Sequence, residues 1–269
     1  MPDQENIAPT SYHNLKQGGK RAYHAIHQER ANEQNPGIMF LAGHGSDMQG
    51  SKAIALENMA DRQNIPFLRF DYFGHGSSDG RFLDGNLSRW LEDCTAMLDA
   101  LTKGPQILVG SSLGGWLMVL TALQRKSRIA GMVGIAAAPD FTETLIWDAL
   151  TPTQQEQMKT KGQIALPNPY ADEDVIYPYH LIEDGQRHLL LKNEIDLDIP
   201  VILHQGMQDG EVPWQTAIQL AEKLTSKDVQ IILDKHAGHR YSEAAQIDSL
   251  IASVMAMHQK ISSSLASNR

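Results

Sequence analysis

One cysteine, Cys94, stands among 269 residues, so no intramolecular disulfide can form. Such sparing use fits a reducing compartment. Positive charge is also scarce: 23 Lys and Arg face 32 Asp and Glu, a net charge of −9. Phosphate binding needs a basic face, so nucleic acid is not an expected partner, and neither is an anionic lipid surface. No apolar run approaches the roughly 20 residues of a membrane span, so stable insertion is not expected. Neither HExxH nor CxxC spacing occurs, and the reading is no metal and no cofactor. The opening "MPDQENIAPTSYHNLK" lacks a signal-peptide apolar core and an arginine-rich amphipathic pattern. That points to the cytoplasm, or to the mitochondrial matrix if a transit peptide has been removed. Oligomeric state is not readable.

What is present is a globular core. Hydrophobic residues make up 42% of the chain and charged residues 20%, enough apolar surface for one sizeable α/β domain. Two alternating stretches, Tyr12 to Leu15 and Ala22 to His27, flank "KQGGK" and read as a hairpin. Strand and helix then alternate: "GIMFLAG", "SKAIALENMADRQ", "PFLRFD", "LSRWLEDCTAMLDALTK", "PQILVG", "LGGWLMVLTALQR", "IAGMVGIAAA". Cys94 falls at a buried position of the second helix. This spacing implies a mostly parallel sheet with helices on both faces. The rhythm breaks over about 139–191, where Thr151, Pro152 and Gln154 suit a capping box and "LPNPYADEDVIYPYH" looks irregular. It resumes with "IPVILHQG", "PWQTAIQLAEKL", "VQIILDK" and a last amphipathic helix. Residues 1–269 therefore read as one domain with a cap insertion at about 139–191.

Two serines sit in G-x-S-x-G: Ser112 in "GSSLG" and Ser78 in "GSSDG". The pattern carries weight only between a strand and a helix. Ser112 has "PQILV" before it and a helix-compatible run after it, with Gly114 and Gly115 allowing close packing. Ser78 is followed by another turn, "RFLDGN", and reads as a loop hydroxyl. Ser111 is out of position in the pattern. At a strand–turn–helix junction the serine hydroxyl meets free helix N–H groups that favour negative charge. The N–H of Leu113 would then be one donor to an oxyanion.

A serine needs a base, and the base an orienting acid. In this strand order the acid follows a later strand, and Asp209 stands just past "VILHQG", with Glu211 as runner-up. After the last strand come His236 and His239, of which His239 lies deeper in the loop and is favoured. His24 and His27 lie in the first hairpin with no carboxylate cluster expected near them, and His204 lies within a strand. The second oxyanion donor belongs to the loop after "IMFLAG": the backbone N–H of His44 is preferred to that of Ser46, because Gly43 is the first residue past the strand. Met48 and Met207, beside the oxyanion and acid positions, are candidate pocket residues, since methionine adapts to flexible chains.

Together "GSDMQGSKA", "RFDYFGHGSSDG", "GPQILVGSSLGGWLM", "HQGMQDGEVPW" and "KHAGHR" resemble the α/β-hydrolase superfamily over nearly the full length. More narrowly, they are similar to the branch containing mitochondrial palmitoyl-protein thioesterase, which also cleaves acyl glucuronides, and its bacterial relatives. The resemblance implies Ser112, Asp209 and His239 as a triad. It implies an acylated protein or a small molecule as substrate. His44 departs from the pattern, which implies an aromatic or similar large residue there.

The leading expectation is a serine hydrolase cleaving esters or thioesters through an acyl-enzyme, with medium or long acyl chains preferred. Alternatives are acyl-glucuronide or small-ester hydrolysis, carbon–carbon bond hydrolysis, or a non-catalytic binding protein on the same fold.

Overall fold

The computed structural model describes residues 10–267 apart from 17, 33 and 169–171. Residues 1–9, read above for targeting, and Pro169, Tyr170 and Ala171 of the irregular stretch lie outside the described residues. The first hairpin forms as β1 (Ser11–Asn14) and β2 (Lys20–Ile26), paired antiparallel. After it the chain alternates β3 (Gly37–Leu41), α1 (Ser51–Gln63), β4 (Phe67–Phe70), α2 (Leu87–Leu101), β5 (Gln106–Ser111), α3 (Leu113–Gln124) and β6 (Ile129–Ile135). It resumes with β9 (Val201–Gly206), α6 (Gln215–Lys223), β10 (Val229–Asp234) and α7 (Ala244–Ser267).

Eight strands form one sheet in the order β1-β2-β4-β3-β5-β6-β9-β10, in which β2 meets β4 antiparallel and every later pair is parallel. The fold is an α/β-hydrolase fold, with helices on both faces. The strands β3, β5 and β6 run almost wholly apolar because both of their faces are covered. On α1 the buried positions Ala53, Leu56, Met59 and Ala60 recur at helical spacing. Asn86 caps α2 by accepting the Arg89 N–H at 2.9 Å, and Cys94 is fully buried on that helix.

Between β6 and β9 the chain makes a π-helical turn (Thr142–Trp147), α4 (Pro152–Lys161), β7 (Gln163–Leu166), β8 (Val175–Pro178) and α5 (Tyr179–Gly185). The Thr151–Gln154 capping box is present, with Pro152 opening α4. Part of "LPNPYADEDVIYPYH" is not irregular, a correction to the sequence reading: Val175–Pro178 pairs antiparallel with Gln163–Leu166. Four-residue strands whose partner lies about ten residues away leave too short an alternation to read.

A second correction concerns the first hairpin. Pairing of β2 with β4 lays it beside α1, so His24 Nδ1 contacts Glu57 and His27 Nε2 lies 2.8 Å from Asp61. Both carboxylates are more than thirty residues away in sequence. Ser78 is a loop hydroxyl, accepting the Ala22 N–H at 2.9 Å and donating to the Asp71 carbonyl at 2.6 Å.

Candidate active site

Ser112 occupies the junction of β5 and α3 with φ 53° and ψ −118°. For a residue with a Cβ this backbone is strained, and strain of this kind persists only where neighbours over-determine it. Here the Ser112 N–H donates to the Ile135 carbonyl at 2.9 Å, and its carbonyl accepts the N–H groups of Gly115 and Ala138. A Cβ on Gly114 would lie 2.1 Å from the Leu41 carbonyl oxygen, so glycine lets the start of α3 sit against the end of β3.

Three side chains from three separate loops meet here. His239, past β10, brings Nε2 to 3.1 Å from Ser112 Oγ and Nδ1 to 2.9 Å from Asp209 Oδ2. Nδ1–H therefore donates to the carboxylate, and Nε2 is left to accept the serine O–H. The Asp209 side chain is fully buried. Burial opposes its ionisation, but the His239 hydrogen bond and charge and the N–H groups of Val212 and Glu211 outweigh that and hold the carboxyl below its ordinary range. Gln205 Nε2 donates to the same Asp209 Oδ2 at 2.9 Å. Of the runners-up, Glu211 reaches His239 only from the other side, with Oε2 3.9 Å from Nε2. His236 is exposed, and its N–H donates to Asp234.

Leu113 is the first residue of α3, where an N–H has no intrahelical acceptor. Gly43 packs against Ser112, a Cβ there lying 3.4 Å from the serine Cβ. Beyond it, the Ser46 N–H donates to the Gly43 carbonyl and the Gly45 N–H to His75 Nε2 at 3.2 Å. Both of these N–H groups are thus already engaged. His75 Nδ1 donates to the Phe73 carbonyl at 3.1 Å, which fixes the imidazole in one neutral tautomer. Burial lowers its pKa accordingly.

The His44 ring stacks on Tyr177 of β8, with centroids 5.6 Å apart and planes 17° from parallel. Phe82, Trp90 and Phe141 surround it. Burial, and secondarily the neighbouring His75, against which a protonated His44 would be disfavoured, push the His44 pKa down to about 3. The imidazole is thus neutral and packs as one flat ring among these aromatic side chains.

A cavity of about 910 Å³ opens over Ser112 and His239. Its walls include Phe82, Phe141, Leu145, Ile146, Leu166 and Tyr177, most of them from the segment between β6 and β9. Met48 and Met207 are not among them, which corrects the pocket expectation. Met48 is 1% exposed because Asp71 and Arg69 hold its backbone N–H and carbonyl, each at 2.7 Å, and turn its side chain into the core. Met207 is 42% exposed on the outside of its loop. Sequence reasoning also missed His75, Gln205 and Tyr177. The first sits in the "GHG" of "FGHGSSDG", examined above only for its serine; the other two carry no local signal.

Among the described residues no group of three or more His, Cys, Asp or Glu is arranged to hold a metal, and no helix is long and apolar enough to cross a membrane.

Residues 34–172 match the family described as "Serine aminopeptidase, S33". The chain is similar to the mitochondrial palmitoyl-protein thioesterase ABHD10 of Rattus norvegicus, with 40% identity over 235 residues that make up 87% of this chain and 79% of the relative. Among solved structures, the alpha/beta hydrolase domain-containing protein 10 from mouse superposes with a TM-score of 0.86 at 37% identity, covering 94% of this chain and 100% of that one. A putative hydrolase from Agrobacterium vitis S4 gives 0.87 at 35% identity, covering 93% and 99%. With a parallel sheet of this order and these matches over most of its length, the chain belongs to the α/β-hydrolases, in the serine aminopeptidase S33 family, and is a hydrolase.

Proposed function

We propose that this hydrolase cleaves acyl thioesters and carboxylic esters of medium or long acyl chains, acylated proteins among them, with Ser112 as nucleophile. The observation that carries the reading is the Ser112–His239–Asp209 relay standing at a cavity whose walls include Phe82, Phe141, Leu145, Ile146, Leu166 and Tyr177. In the reaction Ser112 Oγ attacks the acyl carbonyl carbon while its proton passes to His239 Nε2. Asp209, ionised, stabilises the imidazolium across Nδ1–H. The oxyanion takes hydrogen bonds from the N–H groups of Leu113 and His44. Collapse of the tetrahedral intermediate breaks the C–S or C–O bond, and the leaving group takes the proton from Nε2. Water then attacks the acyl-enzyme, giving its proton to Nε2 and releasing the carboxylic acid as Ser112 regains its hydrogen.

Residues 139–191 act in this reading as a cap over the serine. At about 910 Å³ the cavity stands near the top of the range of roughly 300–1,000 Å³ typical of small-molecule sites. That favours an extended acyl chain over acetyl. The name of the ABHD10 relatives points the same way. The compartment proposed is the reducing cytoplasm, or the mitochondrial matrix, the relatives' name having "mitochondrial" in it.

The test is a panel of thioesters and p-nitrophenyl esters from acetyl to palmitoyl, assayed with the wild type and Ser112→Ala. Each added methylene contributes up to about 0.8 kcal/mol, so kcat/KM is expected to climb with chain length and to vanish in Ser112→Ala. A preference for acetyl over octanoyl would replace this reading with a small-ester esterase. Full activity of Ser112→Ala would remove the nucleophile altogether.

A further inference from the structure

His239 is flanked by carboxylates on both of its nitrogens. Asp209 Oδ2 lies 2.9 Å from Nδ1, and Glu211 Oε2 lies 3.9 Å from Nε2. The two acids differ in kind. The Asp209 side chain is fully buried and hydrogen-bonded, whereas the Glu211 side chain is 37% exposed and lines the cavity together with Ser112 and Tyr177. Only one residue, Gly210, separates them, and the turn that joins them is tied by the Glu211 N–H donating to Asp209 Oδ1 at 2.9 Å. The turn that seats the buried acid therefore also delivers the second carboxylate to the cavity side of the base.

We propose that Glu211 is a second, acidic positioning residue for His239. The proposal rests on the serine-hydrolase reading above. When the Ser112 proton arrives on Nε2, the imidazolium carries its new N–H towards the cavity. Glu211 then sits within ion-pair distance of that cation on the side opposite Asp209. Its charge favours the protonated imidazole, and so proton uptake from the serine, without receiving the proton itself. The same charge borders the space where the leaving group takes the proton back from Nε2. A leaving group carrying its own carboxylate is disfavoured there relative to a neutral one.

The other charged or titratable groups about this end of the cavity are Lys52 of α1, whose Nζ donates to the Arg240 carbonyl at 2.5 Å, Arg240 itself, Asp47, His44 and Tyr177. None of them has an ion-pair contact with His239 among the described residues; Asp209 and Glu211 both do.

The experiment compares wild type, Glu211→Gln and Glu211→Asp with Ser112→Ala as control. Glutamine keeps the size of the side chain and the backbone N–H that holds Asp209, so the fold and the buried acid are left in place. The readouts are the pH dependence of kcat/KM and the rate of labelling by a fluorophosphonate probe. Removing a half-exposed negative charge should lower both about two- to fivefold, the scale of a solvent-accessible ion pair. It should also move the acid limb of the pH profile to lower pH, and the difference should shrink at high salt. Glu211→Asp should fall between the two. Against a thioester of an anionic thiol, Glu211→Gln should gain relative to a thioester of a neutral thiol. An acid limb that stays in place, or moves to higher pH, overturns the proposal while leaving the Ser112 reading intact. Full activity of Ser112→Ala overturns both.

Discussion

His75 and Gly45 are joined across two loops: the imidazole Nε2 accepts the Gly45 N–H at 3.2 Å while Nδ1–H holds the Phe73 carbonyl. This buried histidine ties the loop after β3, which carries His44, to the loop after β4. It also occupies the neighbouring N–H that could otherwise compete for an oxyanion.

Replacement of His75 by leucine should therefore act on turnover more than on binding. Loss of one oxyanion donor costs up to about 10²–10³ in kcat, and a misaligned loop should forfeit part of that. We expect kcat to fall roughly tenfold or more with KM changed less than threefold, measured by steady-state kinetics on one ester. A rise in KM alone would show that the clamp serves the pocket instead.

Gln205 holds Asp209 from behind the histidine. Its Nε2 donates to Asp209 Oδ2, while its own Oε1 is buried without a partner among the described residues. Gln205→Leu removes a donor to a charged group, worth roughly 1.5 kcal/mol, and an orphaned acceptor at the same stroke. Thermal stability should hold within a few degrees while kcat/KM falls about tenfold. A large loss of Tm with unchanged activity would contradict the assignment.

Ser112→Ala and His239→Ala should each abolish most turnover, by a factor on the order of 10⁴ or more, and the double variant should be little worse than either. Groups that act in one proton relay have no separable shares. His236→Ala should keep near-wild-type rates. Independent, multiplying losses from Ser112 and His239 would argue against the relay.

Acid stability should depend on His204. It is 1% exposed on β9, between the Tyr241 hydroxyl at 3.2 Å and Ser253 Oγ at 2.9 Å, and burial pushes its pKa from 6.5 down to about 4. Above pH about 6.5 the group is neutral folded or unfolded and contributes nothing to pH dependence. As pH falls from 6.5 towards 4, the unfolded chain takes up a proton that the folded one refuses, and stability drops by an amount on the order of 3 kcal/mol. Asp93 works in the opposite sense. Burial outweighs the Arg21 charge and raises its pKa from 3.8 to about 6, so a penalty present above pH 6 is relieved between 6 and 3.8. Because His44 and His75 are lowered as well, the histidines should prevail. Tm is expected to fall between pH 7 and 5, and His204→Gln should shed a clear part of that fall. An equal fall in the variant would remove His204 from the account.

Local sequence was enough wherever chemistry and periodicity act over short range. The helix at Ser51–Gln63 follows from its spacing of apolar residues, and the alternation of strand and helix implies the parallel sheet. Ser112 stands out from Ser78 because only the first lies between a strand and a helix. Asp209 and His239 were legible as residues just past strand ends, where an open α/β sheet gathers its loops. What only the tertiary structure decided is which way each side chain turns and what it meets across long separations. Met48 lies in the right loop yet turns into the core because Asp71 and Arg69 grip its backbone. Tyr177 reaches His44 from a hairpin more than 130 residues on, and Glu57 meets His24 only because β2 packs beside α1. Glu211, read first as a rival to Asp209, stands instead on the far nitrogen of the same histidine. Periodicity reports which face of an element is buried. The direction of a loop side chain is set by hydrogen bonds to residues distant in sequence, and no local pattern records them.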